Sequence, residues 1–413
     1  MTDIKRNLEA KIDTLLNYFP VVIILGVRQC GKTTLAKMLR PNWRYFDLER
    51  GQDFDFITRD FEFFIKEHPH SIVIDEAQRY PALFQELRSV VDRDRKNKNR
   101  FLLTVSSSMD LIKNVSESLA GRVGLVELAT LKTNERHGLG LPDFYQLFQS
   151  HLNHEATDFI KSFEAHISHD QLMQAFLQGG YPEPVLAEDN RFYDAWMDNY
   201  VQTYIQRDIR TLFPRLDLVK YRRFVSMLTA ISGTIVNRSQ TGRSLDISEK
   251  AIRDYLQIAE GSYIWRNIPS YENSKSKSVV KMPKGNIRDS GLAHYLQGIT
   301  HREQLLTYPN VGATFEAFVF EEIIKGLQAT ATVNWHHYYF RTKNGAEIDM
   351  ILEGPFGILP IEIKFGSTVT PRRLQSLKSF VNKNNLPLGI VVNNSDEIQL
   401  VADRIIQLPA TCI

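Results

Sequence analysis

The sequence predicts an α/β protein whose N-terminal part is a parallel sheet covered on both faces by helices. Three observations carry this. Short, mostly apolar runs, VVIIL (21–25), SIVID (71–75) and FLLTV (101–105), alternate with helical stretches, and strands apolar on both faces belong to covered parallel sheets. A glycine-rich loop follows the first run directly and opens a helix. The 413 residues are 43% hydrophobic and 24% charged, which argues against disorder, a collagen-like chain or a membrane bundle.

The elements follow in order. The helix after Lys32 runs to about Leu39, before Pro41, and Pro81 to Val91 reads as helix. From about Pro142 to Leu218 the pattern is amphipathic helix, interrupted by Gly179-Gly180-Tyr181-Pro182. Residues 219–300 give two short helices, a helix Ser248–Glu260 with Ser248 as N-cap, and strand-like pieces at Tyr263–Ile268 and Ser278–Met282. A helix over Phe315–Leu327 then precedes β-rich segments at 335–341, 346–353 and 358–365. The expected divisions are 1–140, 141–218, 219–301 and 302–413. No fixed-period repeat is visible, which disfavours a solenoid.

Cys30 and Cys412 are the only cysteines, so no disulfide framework or all-cysteine zinc site is expected. The eleven histidines form no HxxxH or HExxH pattern. No apolar run approaches the ~20 residues that span a bilayer, and residues 1–16 show no leader pattern. The expectation is a soluble cytoplasmic protein with no membrane partner.

Gly26-Val27-Arg28-Gln29-Cys30-Gly31-Lys32-Thr33-Thr34 matches GxxxxGK[ST] between a strand and a helix, the context this motif requires. Its backbone N–H groups curl around phosphates, and the helix N-terminus adds partial positive charge. Lys32 is placed for the β/γ-phosphates of ATP and the Thr33 hydroxyl for Mg²⁺. The second apolar run ends in Asp75-Glu76, expected on a strand beside the phosphate-loop strand. Asp75 is then a metal residue and Glu76 the group that polarises the attacking water, which favours hydrolysis over mere binding. Where the third run ends, Thr104, Ser106 or a neighbouring serine could feel the γ-phosphate; a Ser-rich turn is the other reading.

Charge is uneven. Residues 201–300 hold 16 Lys and Arg against 8 Asp and Glu, a net +8, while 1–200 carry −5 and 301–413 carry −1. A basic block between acidic ones suggests an anionic partner, DNA, docking on the middle of the chain; a solvated basic face is the alternative. Residues 219–290 fit a winged-helix outline. Lys250, Arg253 and Gln257 lie on its recognition helix, and Lys275, Lys277, Lys281 and Lys284 on its wing. Such a module either neutralises phosphates or serves as protein packing.

The order GVRQCGKTT, SIVIDEAQ, FLLTVSSS, SLAGRVG resembles a widespread bacterial and archaeal family of AAA+-type ATPases with a C-terminal nuclease-like domain. The likeness continues through GGYPEPVL (179–186), TYIQRDI (203–209) and IEIK (361–364). It implies an AAA+-type P-loop NTPase domain, a helical lid, a winged helix and a C-terminal α/β restriction-endonuclease-like domain. Arg122 stands where the family carries an arginine that could serve as a finger toward a neighbouring subunit's nucleotide, and so implies self-association; a surface salt bridge is the other reading. Val105 stands where family members usually have Gly.

In the C-terminal part, Glu362 and Lys364 are two apart on a strand and share a face. With Pro355-Phe356 as hairpin tip, Asp349 falls opposite Glu362 and Glu347 opposite Lys364. Carboxylates ~4.5–5.5 Å apart at Cβ repel unless a cation sits between them or one is protonated. A hard divalent ion, Mg²⁺ or Mn²⁺, suits Asp349 and Glu362, with Glu316 completing the shell and Lys364 orienting water or phosphate. The set resembles the PD-(D/E)XK nuclease core; an ordinary charge-paired hairpin is the alternative. The expected function is an ATP-hydrolysing protein acting on DNA. The alternative is a nucleotide-dependent switch or scaffold whose C-terminal domain binds nucleic acid or protein without cleaving.

Overall fold

The computed structural model describes all residues except 1–3, 107–118, 210–215, 273–282, 343–344, 369 and 371–373, together with the side chains of 205–208. Strands β1 (Val21–Leu25), β2 (Arg44–Asp47), β3 (Ile72–Asp75), β4 (Phe101–Val105) and β5 (Val123–Glu127) form a wholly parallel sheet in the order β2-β3-β4-β1-β5. The three central strands are the apolar runs, buried at every position. The edge strands are half-exposed and mix polar with apolar residues, so they give no continuous apolar signal. One expectation is corrected: β4 lies between β1 and β3, so the Asp75 strand is not beside the phosphate-loop strand. Strand order is set by where each crossover helix returns the chain, which local pattern does not encode.

The middle of the chain supplies helices Leu218–Ala230, Arg238–Leu245 and Glu249–Gly261 and a small antiparallel sheet, β6 (Thr234–Ile235), β8 (Lys284–Ile287) and β7 (Trp265–Ile268), in that order. Ser248 caps the third helix, its side chain accepting from the Ala251 N–H. The strand expected at 278–282 lies outside the described residues, as do Lys275, Lys277 and Lys281.

The C-terminal sheet has six strands, in the order β13 (Gln399–Ala402), β14 (Ile405–Pro409), β12 (Gly389–Asn393), β11 (Gly357–Lys364), β10 (Glu347–Gly354) and β9 (His336–Arg341). The register runs from Met350 opposite Ile361 to Gly354 opposite Gly357, which is the pairing a Pro355-Phe356 tip requires. Helices Val311–Ala329 and Gln375–Lys383 pack on it.

The stretch 141–218, expected as one helical lid, divides between two cores. Phe144, Phe148 and Phe176 pack with Phe315, Phe318 and Phe356 of the C-terminal part, whereas Tyr181, Tyr193, Tyr200 and Tyr204 join the core of the five-stranded sheet. Its apolar stripes are amphipathic throughout, and that pattern names no partner.

Candidate nucleotide site and C-terminal acidic site

The parallel register brings the end of β1, Asp75 at the end of β3 and Thr104 on β4 to one edge of the sheet. The loop leaves β1 at Gly26, whose N–H donates to Val105 O (3.2 Å). A Cβ at Gly26 would lie 2.1 Å from Leu128 O, so this close approach needs glycine. Gly31 opens the helix Lys32–Leu39 with φ 96°. Lys32 is buried, and its Nζ donates back to the carbonyls of Gly26 (3.0 Å) and Val27 (2.9 Å). The ammonium is thus already turned into the cradle.

Asp75 is 3% exposed and surrounded by hydroxyls. Thr33 Oγ1 (2.7 Å) and Tyr45 OH (2.5 Å) donate to its Oδ2, and Thr104 Oγ1 donates to its Oδ1. Burial, and then Asp75, pushes the Tyr45 phenol up, so it stays a donor. Glu76 has φ 53°, a left-handed conformation that costs a non-glycine residue about 1–3 kcal/mol and persists only when neighbours impose it. Here its N–H donates to Thr104 Oγ1 (3.2 Å), Ser106 Oγ donates to its Oε1 (2.6 Å), and Gln78 Nε2 donates to its Oε2. Thr104 and Ser106, singled out from sequence, therefore both act here: Thr104 holds Asp75 and the Glu76 N–H, and Ser106 holds the Glu76 carboxylate. Ser107 and Ser108 lie outside the described residues.

Sequence reasoning missed the supports. Arg6 is buried, donating to Cys30 O (2.9 Å) and Ala129 O (2.8 Å) while pairing with Glu135 (3.1 Å). An N-terminal arginine before a helix carries no signal of that kind. The GGYP turn also backs the loop. A Cβ at Gly180 would sit 2.2 Å from Leu131 O, and Tyr181 OH donates to Tyr200 OH (2.9 Å), which donates to Arg28 O (3.4 Å). Trp196 stacks on Tyr200 with centroids 5.0 Å apart and an interplanar angle of 9°. An open cleft of about 1110 Å³ lies between these aromatic rings, Arg28 and Gln29 of the loop, and Glu76 with Ser106.

The pair of half-buried Thr33 and buried Asp75, beside the turned-in Lys32, fits the group the motif implies. Thr33 Oγ1 and Asp75 are the oxygen donors that would hold Mg²⁺, with Lys32 and the loop backbone for the phosphates. Val27, Arg28, Gln29 and Cys30 form the loop wall, and Thr34 is exposed on the helix. Arg122 lies at the N-terminal end of β5, the end of the sheet away from the loop, and holds Asp92 through two bonds (2.7 and 3.0 Å). Its guanidinium draws Asp92 down to about 2. Within the chain Arg122 is a salt-bridge partner and does not reach the chain's own nucleotide cleft.

The C-terminal residues converge as expected, with one addition. Lys364 Nζ lies 3.0 Å from Asp349 Oδ2, 2.9 Å from Glu362 Oε1 and 3.5 Å from Glu316 Oε1. The Ile363 N–H also donates to Asp349 Oδ2 (2.9 Å). The addition is Lys284, read from sequence as a DNA-facing wing lysine. It is 4% exposed, with Nζ 3.5 Å from Asp349 Oδ1, 3.7 Å from Glu316 Oε2 and 3.4 Å from Glu347 Oε1. That assignment is corrected: with the Glu316, Glu347 and Asp349 carboxylates around it, Lys284 is drawn inward. Glu347 pairs with Lys284 and with Arg341 (3.7 Å), not with Lys364 as the hairpin alternative had it.

Burial and then the Asp349 charge push Glu362 up to about 8 and Glu316 up to about 7. Burial also acts to raise Asp349, but Lys284 and Lys364 outweigh it and hold that carboxyl below its ordinary value. Among the described residues no group of three or more His, Cys, Asp and Glu side chains is arranged to hold a metal ion. The ligand set expected of Glu316, Asp349 and Glu362 is instead bridged by two ammonium groups.

Comparison with known proteins fits this geometry. A family profile described as an AAA domain matches residues 18–137, and domains of unknown function DUF8612 and DUF4143 match 169–303 and 311–413. The fold and the site define an AAA-type P-loop ATPase domain, which binds and hydrolyses ATP, joined to two further domains. The chain is 31% identical, over 98% of its length and 83% of theirs, to the uncharacterized proteins Rv2008c of Mycobacterium tuberculosis and Mb2031c of Mycobacterium bovis, and it belongs to one family with them. Among solved structures it is similar to a Walker-type ATPase of Pyrococcus abyssi (TM-score 0.40, 14% identity, 72% of this chain and 96% of that one). It is also similar to the RuvB Holliday junction branch migration motor of Thermotoga maritima (TM-score 0.29, 14% identity, 64% and 90%). At these scores neither bears on what this chain acts upon. Among the described residues no helix is long and apolar enough to cross a membrane.

Proposed function

We propose that this chain is a Mg²⁺-dependent ATPase acting on DNA, with the middle segment as a winged helix and the C-terminal domain as a nuclease-like module of PD-(D/E)XK type. The observation that carries the reading is the separation of roles at Asp75 and Glu76. Asp75 faces the Thr33 hydroxyl, while Glu76 is turned by its left-handed backbone toward the open cleft. Mg²⁺ held by Thr33 and Asp75 would neutralise charge on the phosphates. Lys32 leaves the Gly26 and Val27 carbonyls for the β/γ-phosphate oxygens. Glu76 takes the proton of the attacking water once Ser106 or Gln78 releases one of its oxygens.

The DNA part rests on the +8 block and on Lys250, Arg253 and Gln257, all exposed on the helix Glu249–Gly261. Exposed Glu249 and Asp254 on that helix oppose it. A finger role for Arg122 toward a second subunit would require it to leave Asp92. One observation favours the switch or scaffold reading: Lys284 stands within the acidic site where a cleaving domain needs a metal.

The test is ATP hydrolysis measured with and without single-stranded, duplex and branched DNA, alongside DNA cutting in Mg²⁺ or Mn²⁺. DNA-stimulated turnover is expected. Glu76→Gln should bind ATP without hydrolysing it, and normal turnover by that variant would remove Glu76 as the base. Asp349→Ala and Lys364→Ala should abolish cutting. Tight nucleotide retention without turnover, and no cutting of any DNA form, would establish the switch reading instead.

A further inference from the structure

We infer that Lys284 is a built-in cation that occupies the C-terminal acidic site and excludes a divalent metal until β8 withdraws. The inference rests on the metal-site reading of Glu316, Asp349 and Glu362 and names how that site is controlled.

The geometry is that of an ammonium in a place shaped for a cation. Asp349 and Glu316 each point one oxygen at Lys284 and the other at Lys364: Oδ1 and Oε2 toward Lys284, Oδ2 and Oε1 toward Lys364. A buried lysine is heavily penalised by desolvation unless carboxylates surround it, and this lysine has three within 3.7 Å. Donor capacity is still left over. Glu362 is 7% exposed, and its Oε2 has no hydrogen-bond partner among the described residues although Oε1 holds Lys364 in the same cluster. An orphaned, buried carboxylate oxygen in this cluster is a lone pair open to a cation. Lys364 comes from the same domain as the carboxylates. Lys284 does not.

Where Lys284 comes from gives the device its meaning. It begins β8, and the same run of chain ends on the ATPase domain. Arg288 pairs with Glu127 at the end of β5, and Asp289 accepts from Thr130 Oγ1 (2.8 Å) and the Gly180 N–H (3.0 Å). Six residues, Lys284 to Asp289, therefore join the acidic site to the segment that follows β5 and to the GGYP turn behind the phosphate loop. Beside β8, Arg266 on β7 is bidentate to Glu321 (2.7 and 3.0 Å), one and a half turns along the helix that carries Glu316. A shift of β8 against that helix moves the ammonium out of the carboxylates, and β8 is tied to the domain that binds nucleotide.

The experiment measures Mn²⁺ binding to the full-length protein without nucleotide, by loss of the free Mn²⁺ paramagnetic resonance signal. The proteins are wild type, Lys284→Met, Lys284→Arg, and Lys284→Met combined with Glu362→Gln. Removing a positive charge this close to a divalent ion should tighten Mn²⁺ binding by roughly a hundredfold or more, so Lys284→Met gains a site that wild type and Lys284→Arg lack. The added Glu362→Gln change should weaken that site again. Thermal melting of each protein establishes that it is folded. Equal, tight Mn²⁺ binding by wild type and Lys284→Met would overturn the exclusion by Lys284 while leaving the metal-site reading intact. No Mn²⁺ binding by a folded Lys284→Met protein would overturn the metal-site reading and the inference with it.

Discussion

Thr104→Val tests whether one buried hydroxyl holds the hydrolytic pair together. Thr104 is fully buried, donates to Asp75 Oδ1 and accepts from the Glu76 N–H. Valine keeps the shape and removes the oxygen. A hydrogen bond to a charged group contributes about 1.5–3 kcal/mol, and leaving the Glu76 N–H unpaired costs about another 1–3 kcal/mol. Asp75 keeps Thr33 and Tyr45 on its other oxygen, so metal binding is weakened but not lost. Glu76 loses one of the contacts that hold it at φ 53°, and the strained backbone relaxes away from the attacking position. If about 1.5–3 kcal/mol of that loss falls on the transition state, kcat drops about 10–100-fold. Nucleotide affinity without metal should stay within about threefold, since Lys32 and the loop backbone are untouched. The assays are steady-state phosphate release with Mg²⁺ and fluorescent-nucleotide binding without it, with Thr104→Ser as the restoring control. A folded Thr104→Val protein with wild-type kcat would refute the reasoning.

Three further outcomes are expected. Lys32→Ala should abolish turnover and weaken nucleotide binding while melting like wild type; wild-type hydrolysis by that protein would end the phosphate-loop reading. Arg6→Ala takes the guanidinium from buried Glu135, which keeps the Asn7 and Lys132 N–H groups, and from the Cys30 and Ala129 carbonyls, a loss of about 1–3 kcal/mol, so its melting temperature and nucleotide affinity should fall together. The last concerns pH. Glu316 and Glu362 titrate above the carboxylate range when folded, at about 7 and about 8, so the folded state binds more protons than the unfolded one between about 4.5 and 8. Stability from these groups therefore falls as pH rises through that window. His294 and His337, drawn down to about 4 and about 3 by burial, act in the opposite sense but only below about 6.5. Between pH 7 and 8.5 wild type should lose about 1–2 kcal/mol and Glu362→Gln less, as read by thermal melting; a gain in wild-type stability across that range would contradict the assignment.

What could be read from sequence was what is local. The phosphate loop needs only nine consecutive residues in the right context, and the hairpin register follows from a turn five residues long. Asp75-Glu76 was legible only through the phosphate loop: buried strands often end in acidic residues, and the loop is what gives this ending a metal and a water to serve. Residues whose role depends on a distant partner were not legible. Tyr45 reaches Asp75 from 30 positions away and Arg6 reaches Ala129 across 123, yet both types are ordinary at those positions. The order β3-β4-β1 is a property of crossovers, and the division of 141–218 between two cores is a property of which apolar face meets which sheet.

Lys284 is the sharpest case, because its chemistry pointed the wrong way. A lysine among lysines in a basic block reads as a phosphate contact, and nothing near it in sequence signals burial. Only the fold brings Glu316, Glu347 and Asp349, 32 to 65 positions further along, around its ammonium. The same placement changes how the net charge should be read. With Lys284 committed to Glu316 and Asp349, and Arg266 and Arg288 to Glu127 and Glu321, part of the +8 faces acidic residues of the neighbouring domains. The basic middle of this chain is therefore in part the complement of its own acidic flanks. The proposed DNA contact would then depend on the exposed remainder, with Lys250 and Arg253 first among the described residues.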